Sequence, residues 1–261
     1  MEHLTHGWEP ELDPGDSLLR RFVLANAQRS MDLADRAGGR SRTTPEVSMA
    51  DPASPVLFDN VSVLLQPPAY INLEATIEAV LSFSPPERHF ALLSAWPTPD
   101  LSRFELELMG HPPLMFRAAG GQAPPMPAEL DVRAVEDEGD LRDFVTTLVE
   151  AYPMPGAEGS ALLDPAVLEG PFHLFVGYVD GVPVATAGAR MGHELIDVEW
   201  VSTRAEARGR GYGAALTWAA TLAEPALPAA LVASDDGQSV YERMGYVRLV
   251  RLTMWHRPGR R

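Results

Sequence analysis

The sequence predicts a mixed α/β protein, α+β or α/β in class, built on a mostly antiparallel sheet flanked by helices and divided into two domains. Three observations carry this prediction. The chain has 261 residues, long for one core and ample for two, since domains cluster near roughly 100 to 150 residues. From Leu130 onward the apolar period switches repeatedly between two residues and about 3.6. Asp180 and Gly181 join two β-rich runs, HLFVGYV and VPVATAGA, and that dipeptide accepts the positive φ angles of a tight hairpin turn.

Composition narrows the function classes. A chain 46% hydrophobic and 22% charged packs a core rather than staying disordered. No apolar run reaches the roughly 20 residues of a membrane span, and MEHLTHGWEPELDPGD is acidic where a signal peptide is basic, so the protein is expected in the cytoplasm, away from membranes. Cysteine is absent, which excludes disulfides, thiolate metal sites and an acyl-cysteine. All 21 basic residues are arginine, which removes Schiff-base chemistry and the lysine of a Walker loop. A net charge of -15 repels nucleic acid and favours cationic partners. The seven histidines lack ligand spacing, and His193 beside Glu194 reads as a turn, so no metal is expected.

In the N-terminal half, residues 16–39 read as a helix, followed by a loop rich in Ser, Thr and Pro. VSVLL, INLEATIEAVLSF, HFALLSAW, LSRFELELMG and PPLMFRA then read as strand, helix, strand, helix and strand. GGQAPPMPAE, residues 120–129, reads as a linker. In the second half LDVRAV reads as a strand and EDEGDLRDFVTTLVEAY as a helix, with Asp140 a candidate cap. After the hairpin, ELIDVEWVST is a strand, YGAALTWAATLAE a helix and PAALVAS a buried strand. DGQSVYERMG is a helix and YVRLVRLTMW a final strand. The two halves share their closing order, and FELELMGH parallels VYERMGY at an offset of 135 residues, which suggests an internal repeat.

ARGRGYGAA, residues 207–215, places three glycines at every second position behind two arginines. A loop that feeds a helix N-terminus binds an anion through unpaired backbone N–H groups; Gly209, Gly211 and Gly213 give close access, and Arg208 and Arg210 add charge-assisted donors. GRGYGA also satisfies the dinucleotide pattern G-x-G-x-x-A, but STRAEAR separates it from its strand. A plain surface turn is the third reading. R-G-R-G-Y-G fits the (Q/R)-x-x-G-x-(G/A) signature of the GNAT N-acetyltransferase superfamily, VEWVSTRAEARGRGYGAAL is similar to that family's strand, loop and helix around acetyl-CoA, and YERMGY resembles its Tyr-x-x-x-Gly-aromatic stretch. The resemblance covers residues 130–257.

The resemblance implies a GNAT-like fold and an acetyl-CoA-dependent N-acetyltransferase acting on a primary amine, a small cationic molecule, with acetyl-CoA as acyl donor and no metal. Its coenzyme contacts fall on Val201, Ser202 and Thr203 of a bulged strand and on Arg208, Gly209, Arg210, Gly211, Tyr212, Gly213 and Ala214 of the loop. A backbone N–H near Val201 would bind the thioester oxygen. Tyr241 takes the place of the tyrosine that protonates the leaving thiolate; its bland alternative is a core tyrosine. Strand alternation puts Ile196, Val198 and Trp200 on the core face and Asp197 and Glu199 on the other, where either carboxylate is a candidate base and Glu199 the preferred one; a solvated strand face is the alternative. Tyr152 and Met154 are candidates for the acceptor wall.

Residues 1–119 are expected to be a degenerate GNAT-like copy without a coenzyme site, 120–129 the linker and 130–261 the catalytic domain, two GNAT-like domains in tandem. In the first copy QPPAYINLEATIEAV replaces the glycine loop, two prolines remove backbone donors and Leu106 stands where the offset places Tyr241. An unrelated module is the competing reading of this half. A catalytically inactive acetyl-CoA-binding sensor or scaffold is the alternative for the whole protein, and a homodimer stays open.

Overall fold

A computed structural model describes residues 17–152 and 160–258. The Ser17 hydroxyl accepts the Arg20 N–H and starts α1, Leu18–Arg36. Phe22, Val23, Asn26, Arg29, Ser30 and Leu33 recur at three- and four-residue spacing on its buried side, the stripe a helix needs to sit against a core. The segment expected to be loop after it forms two strands instead, β1 (Arg40–Thr43) and β2 (Val47–Asp51), paired antiparallel. Short polar strands such as RSRT carry no apolar alternation to announce them. Then come β3 (Val61–Leu64), α2 (Leu73–Phe83) and β4 (Phe90–Ser94). LSRFELELMG is not a helix: a 3-10 turn at Ser102–Phe104 precedes β5, Glu107–Gly110. β6 spans Pro113–Arg117.

The second half begins with β7 (Asp131–Ala134) and α3 (Glu138–Ala151). Asp137, not Asp140, caps α3, its carboxylate accepting the N–H groups of Gly139 and Asp140; the residue just ahead of the first turn is the one placed to do so. β8 (Phe172–Val179) and β9 (Val182–Gly192) form the expected hairpin, with Asp180 at φ 51° and Gly181 at φ 76°. β10 (Leu195–Thr203), α4 (Tyr212–Thr221), β11 (Ala229–Val232) and α5 (Gln238–Arg243) follow. His193 and Glu194 make the turn before β10, both at positive φ. The last apolar run, read as one strand, is two: β12 (Val247–Arg251) and β13 (Thr253–Arg257).

These strands form two sheets, ordered β1-β2-β3-β4-β13-β5 and β12-β6-β11-β10-β9-β8-β7. Each half lends one strand to the other. β6 lies between β11 and β12, antiparallel to both, and β13 lies between β4 and β5, again antiparallel to both. The strands cross where Leu252 N–H donates to the Pro112 carbonyl and Ala233 N–H to that of Pro113. Hydrogen bonding therefore does not follow a division at residues 120–129. The exchange is reciprocal, and β13 begins at 253, about 140 residues after β6 begins at 113. The 135-residue match does not mark equivalent elements, because it sets β5 against α5.

One apolar cluster draws on both halves: Phe22 of α1, Val63 and Leu93 of the first sheet, Leu114 of the exchanged strand, and Leu195 and Leu252 from beyond residue 130. α1 is also braced on the second sheet by ion pairs from Arg21 to Glu194 at 3.1 Å, Arg29 to Asp197 at 2.9 Å and Arg190 to Asp32 at 2.5 Å. Removing either half would expose that cluster and unpair a strand in the middle of each sheet. Thermal unfolding is accordingly expected as a single cooperative transition in scanning calorimetry. Two resolved transitions would show that the halves fold independently.

Candidate functional site

β10 pairs with β9 from Leu195 to Glu199, then resumes at Ser202 opposite Thr186, so Trp200 and Val201 share one opposing residue. This is a β-bulge, and it forces Trp200 to φ 53°, a left-handed conformation that costs a bulky residue strain of about 1–3 kcal/mol. The bulge begins one residue earlier than expected. It also moves Trp200 off the face of Ile196 and Val198. The indole packs against Phe144 and Phe172, with ring centroids 6.5 and 5.8 Å away, among the side chains under α3. Beside it, Thr186 Oγ1 donates to the Trp200 carbonyl and lies 2.7 Å from Ser202 Oγ. On its other edge β10 pairs with β11 only from Ile196 to Val198, and past that point the two strands part.

Asp197 and Glu199 lie on the same face as Trp200, turned toward α1. Asp197 is fully buried, and its Oδ2 accepts from Arg29 Nε at 2.9 Å. Burial pushes its carboxyl above the usual range, with Arg29 pulling the other way. Glu199 Oε1 lies 3.1 Å from Arg29 Nη2, and its side chain keeps 22% of its surface. Burial raises the Glu199 pKa to about 7; Arg29 opposes this and Asp197 adds to it. Arg29 itself lies over the Trp200 ring at 5.7 Å.

Tyr241 is half-buried on α5, its ring 6.1 Å from that of Tyr246 in a T-shaped contact. Burial, then the neighbours Tyr152, Tyr246 and Glu199, push its hydroxyl well above its ordinary pKa. The phenol therefore stays protonated at neutral pH. α5 has only six residues, and Arg117 of exchanged β6 steadies it by donating Nε to the Met244 carbonyl at 3.0 Å. The tyrosine's counterpart region in the first half has no phenol: Leu101 and Leu106 are both core leucines there.

The glycine loop opens α4. Gly209 and Gly211 stand at φ 77° and 86°, and Gly211 is the helix N-cap with no side-chain cap. Its exposed N-terminus keeps backbone donors toward solvent, as an anion site requires. Gly213 answers to packing as well, since a Cβ there would come 2.9 Å from Thr203 Oγ1. Arg208 is exposed and donates to the carbonyls of Thr203 and Ala151, each at 3.2 Å. Arg210 is exposed, and while Glu129 raises the Tyr212 pKa, the charge of Arg210 lowers it. Tyr212 is buried, its hydroxyl donating to Glu129 at 2.8 Å, and Ala214 is half-buried beside the core. The equivalent α2 is closed by comparison, because the Asn72 side chain accepts the Ala75 N–H.

A cavity of about 470 Å³ occupies the gap between the sheets, within the roughly 300–1,000 Å³ of small-molecule sites. The structure brings Glu199, Val201, Tyr241 and Tyr152 to it. Asp197 is absent from its lining, and Ser202, Thr203 and the glycine loop lie outside it. Met154 falls outside the described residues. Sequence reasoning missed Asn26, Arg29 and Trp200. Arg29 lies 168 positions from Asp197, and nothing local marks it. Among the described residues no group of three or more His, Cys, Asp or Glu could hold a metal ion, and no helix is long and apolar enough to cross a membrane.

Residues 141–246 match the Acetyltransferase (GNAT) family. Among solved structures, a GCN5-related N-acetyltransferase from Kribbella flavida is 22% identical, with a TM-score of 0.64 over 91% of this chain and 96% of that one. A functionally unknown conserved protein from Staphylococcus epidermidis, 16% identical, gives 0.60 over 84% and 93%. A GCN5-related N-acetyltransferase from Sphaerobacter thermophilus, 15% identical, gives 0.55 over 96% and 95%. These likenesses establish a shared fold that runs nearly the whole chain. No sequence among curated proteins matches.

Arg29→Met keeps the packing of the stem and deletes the charge between two carboxylates. Breaking a buried pair on one side costs about 3–5 kcal/mol, so urea unfolding at pH 8 should show a loss of that order. Both carboxyl pKa values are raised in the folded state, so the folded protein holds more protons and the variant's deficit should shrink as the pH falls below about 7. A deficit that is constant between pH 5 and 8 would show that the guanidinium does not act through these charges.

Proposed function

We propose that the protein is an acetyl-CoA-dependent N-acetyltransferase that moves an acetyl group directly to a primary amine of a small cationic molecule. The observation that carries this is the meeting of a bulged, splayed β10, Glu199 and Tyr241 in one cavity, beside an uncapped glycine helix start. The match of residues 141–246 to an acetyltransferase family supports it.

In this reading the open N-terminus of α4 binds the coenzyme's pyrophosphate, and the bulged backbone at Val201 receives its pantetheine arm and thioester oxygen. Glu199, poised near pH 7, takes the proton of the incoming ammonium and frees its lone pair. Asp197 has no access to the cavity, so the base is Glu199 alone. As the amine nitrogen bonds to the acetyl carbon and the C–S bond breaks, Tyr241 hands its proton to the sulfur, and the proton shed by the acylated nitrogen restores the phenol. With neither cysteine nor lysine in the chain, no acyl-cysteine or acyl-lysine intermediate is available.

The same reading makes the halves tandem GNAT-like units, the first without coenzyme. Reciprocal strand exchange between two sheets of like order supports the repeat. The lost site is supported by β3, which pairs in unbroken register with β2 and β4, and by the side-chain cap on α2.

The test is release of free thiol from acetyl-CoA with a panel of primary amines. Binding of acetyl-CoA with no thiol from any amine would leave the site without a transferase role. Tyr241→Phe should lower kcat by roughly 10- to 1000-fold, a positioned acid being worth about 10²- to 10⁴-fold and water standing in partly, with coenzyme affinity unchanged. A variant with normal kcat and a lowered melting temperature would make Tyr241 a core residue. A base must be ionised, so kcat/KM should rise with pH through about 7, and Glu199→Gln should lose that limb; an unaltered limb in the variant would assign it elsewhere.

A further inference from the structure

We infer that the acceptor is a monoamine with an apolar body and a hydrogen-bond donor remote from the amine, recognised through Asn26 of the first half; this rests on the transfer reading above. The cavity's acidic groups are already matched. Glu199 is paired with Arg29, and Asp235 with Arg251 at 2.7 Å. One ammonium can be received at Glu199, but among the described residues of the lining no second unpaired carboxylate is left for a polycation, and Arg29 repels one.

The rest of the wall is mostly apolar and comes from both halves. Phe58, Met109 and Tyr152 line the cavity while 43, 40 and 51% exposed, an unusual outlay of large side chains to solvent unless something covers them. Val61, Leu93 and Met254 lie deeper. Within this surface Asn26 is 2% exposed and its Oδ1 has no hydrogen-bond partner. A buried acceptor left alone costs free energy that a substrate donor would recover. Asn26 sits one helical turn from Arg29 and so from Glu199, which spaces the donor from the reacting nitrogen by the body of a small molecule.

The experiment compares tyramine, its O-methyl ether and spermidine, reading thiol release with acetyl-CoA and, separately, amine binding by calorimetry. Tyramine should exceed the ether in kcat/KM by about tenfold, the worth of one hydrogen bond, and spermidine should be poorest. Asn26→Leu should erase the tyramine preference; the wild-type comparison stands even if that variant does not fold. Spermidine as best acceptor, or an ether equal to tyramine in the wild type, overturns the inference and leaves transfer standing. Selective tyramine binding without thiol release would uphold the pocket's chemistry while removing the transfer reading.

Discussion

The buried carboxylate of Asp197 constrains the whole molecule. It sits in the middle of β10 with no solvent contact, and a charge there is tolerable only beside a cation. α1 of the first half supplies the cation that pairs with it, Arg29, and Arg190, opposite it on β9, adds its charge. The Arg29 guanidinium reaches past Asp197 to Glu199, so the interaction that docks α1 also sets the proton affinity of a cavity carboxyl. Folding and the site's electrostatics share one side chain.

Strand exchange makes that docking permanent. β6 and β13 each complete the sheet of the opposite half, so the halves cannot separate without tearing ladder hydrogen bonds in both. The two sheets differ at one edge. β10 carries a bulge, parts from β11 and feeds a helix whose N-cap is a left-handed glycine; β3 keeps its register and feeds a helix capped by Asn72. The second sheet thus has a splayed edge there and the first an unbroken one. The cavity lies between the two sheets, with Glu199 and Tyr241 from the second half and an apolar lining from both.

Local signals were readable wherever local chemistry settles the conformation. The Asp180–Gly181 turn, the amphipathic α1 and the glycine loop ahead of α4 all fall where the residues place them. Errors arose where a partner decides. LSRFELELMG has helical spacing, but Leu108 pairs with Trp255 on β13 and becomes strand. YVRLVRLTMW reads as continuous, but Leu252 is buried at the crossing, and the chain changes sheets there. Trp200 left its alternation because the bulge rotates one residue out of phase, which a period-two pattern cannot express.

The sequence by itself determined the composition of the site: a glycine loop at a helix start, a carboxylate pair two residues apart on a strand and a tyrosine on a late helix. These are short-range features, legible because the spacing of a few residues fixes their geometry. The tertiary structure alone decided which of the two carboxylates reaches the cavity, what cation faces it and what lines the rest of it. Those outcomes depend on contacts between residues more than a hundred positions apart, Arg29 with Asp197 and Arg117 with Met244. Such contacts form only when burial of a shared core draws the halves together, and no periodicity in the chain encodes them.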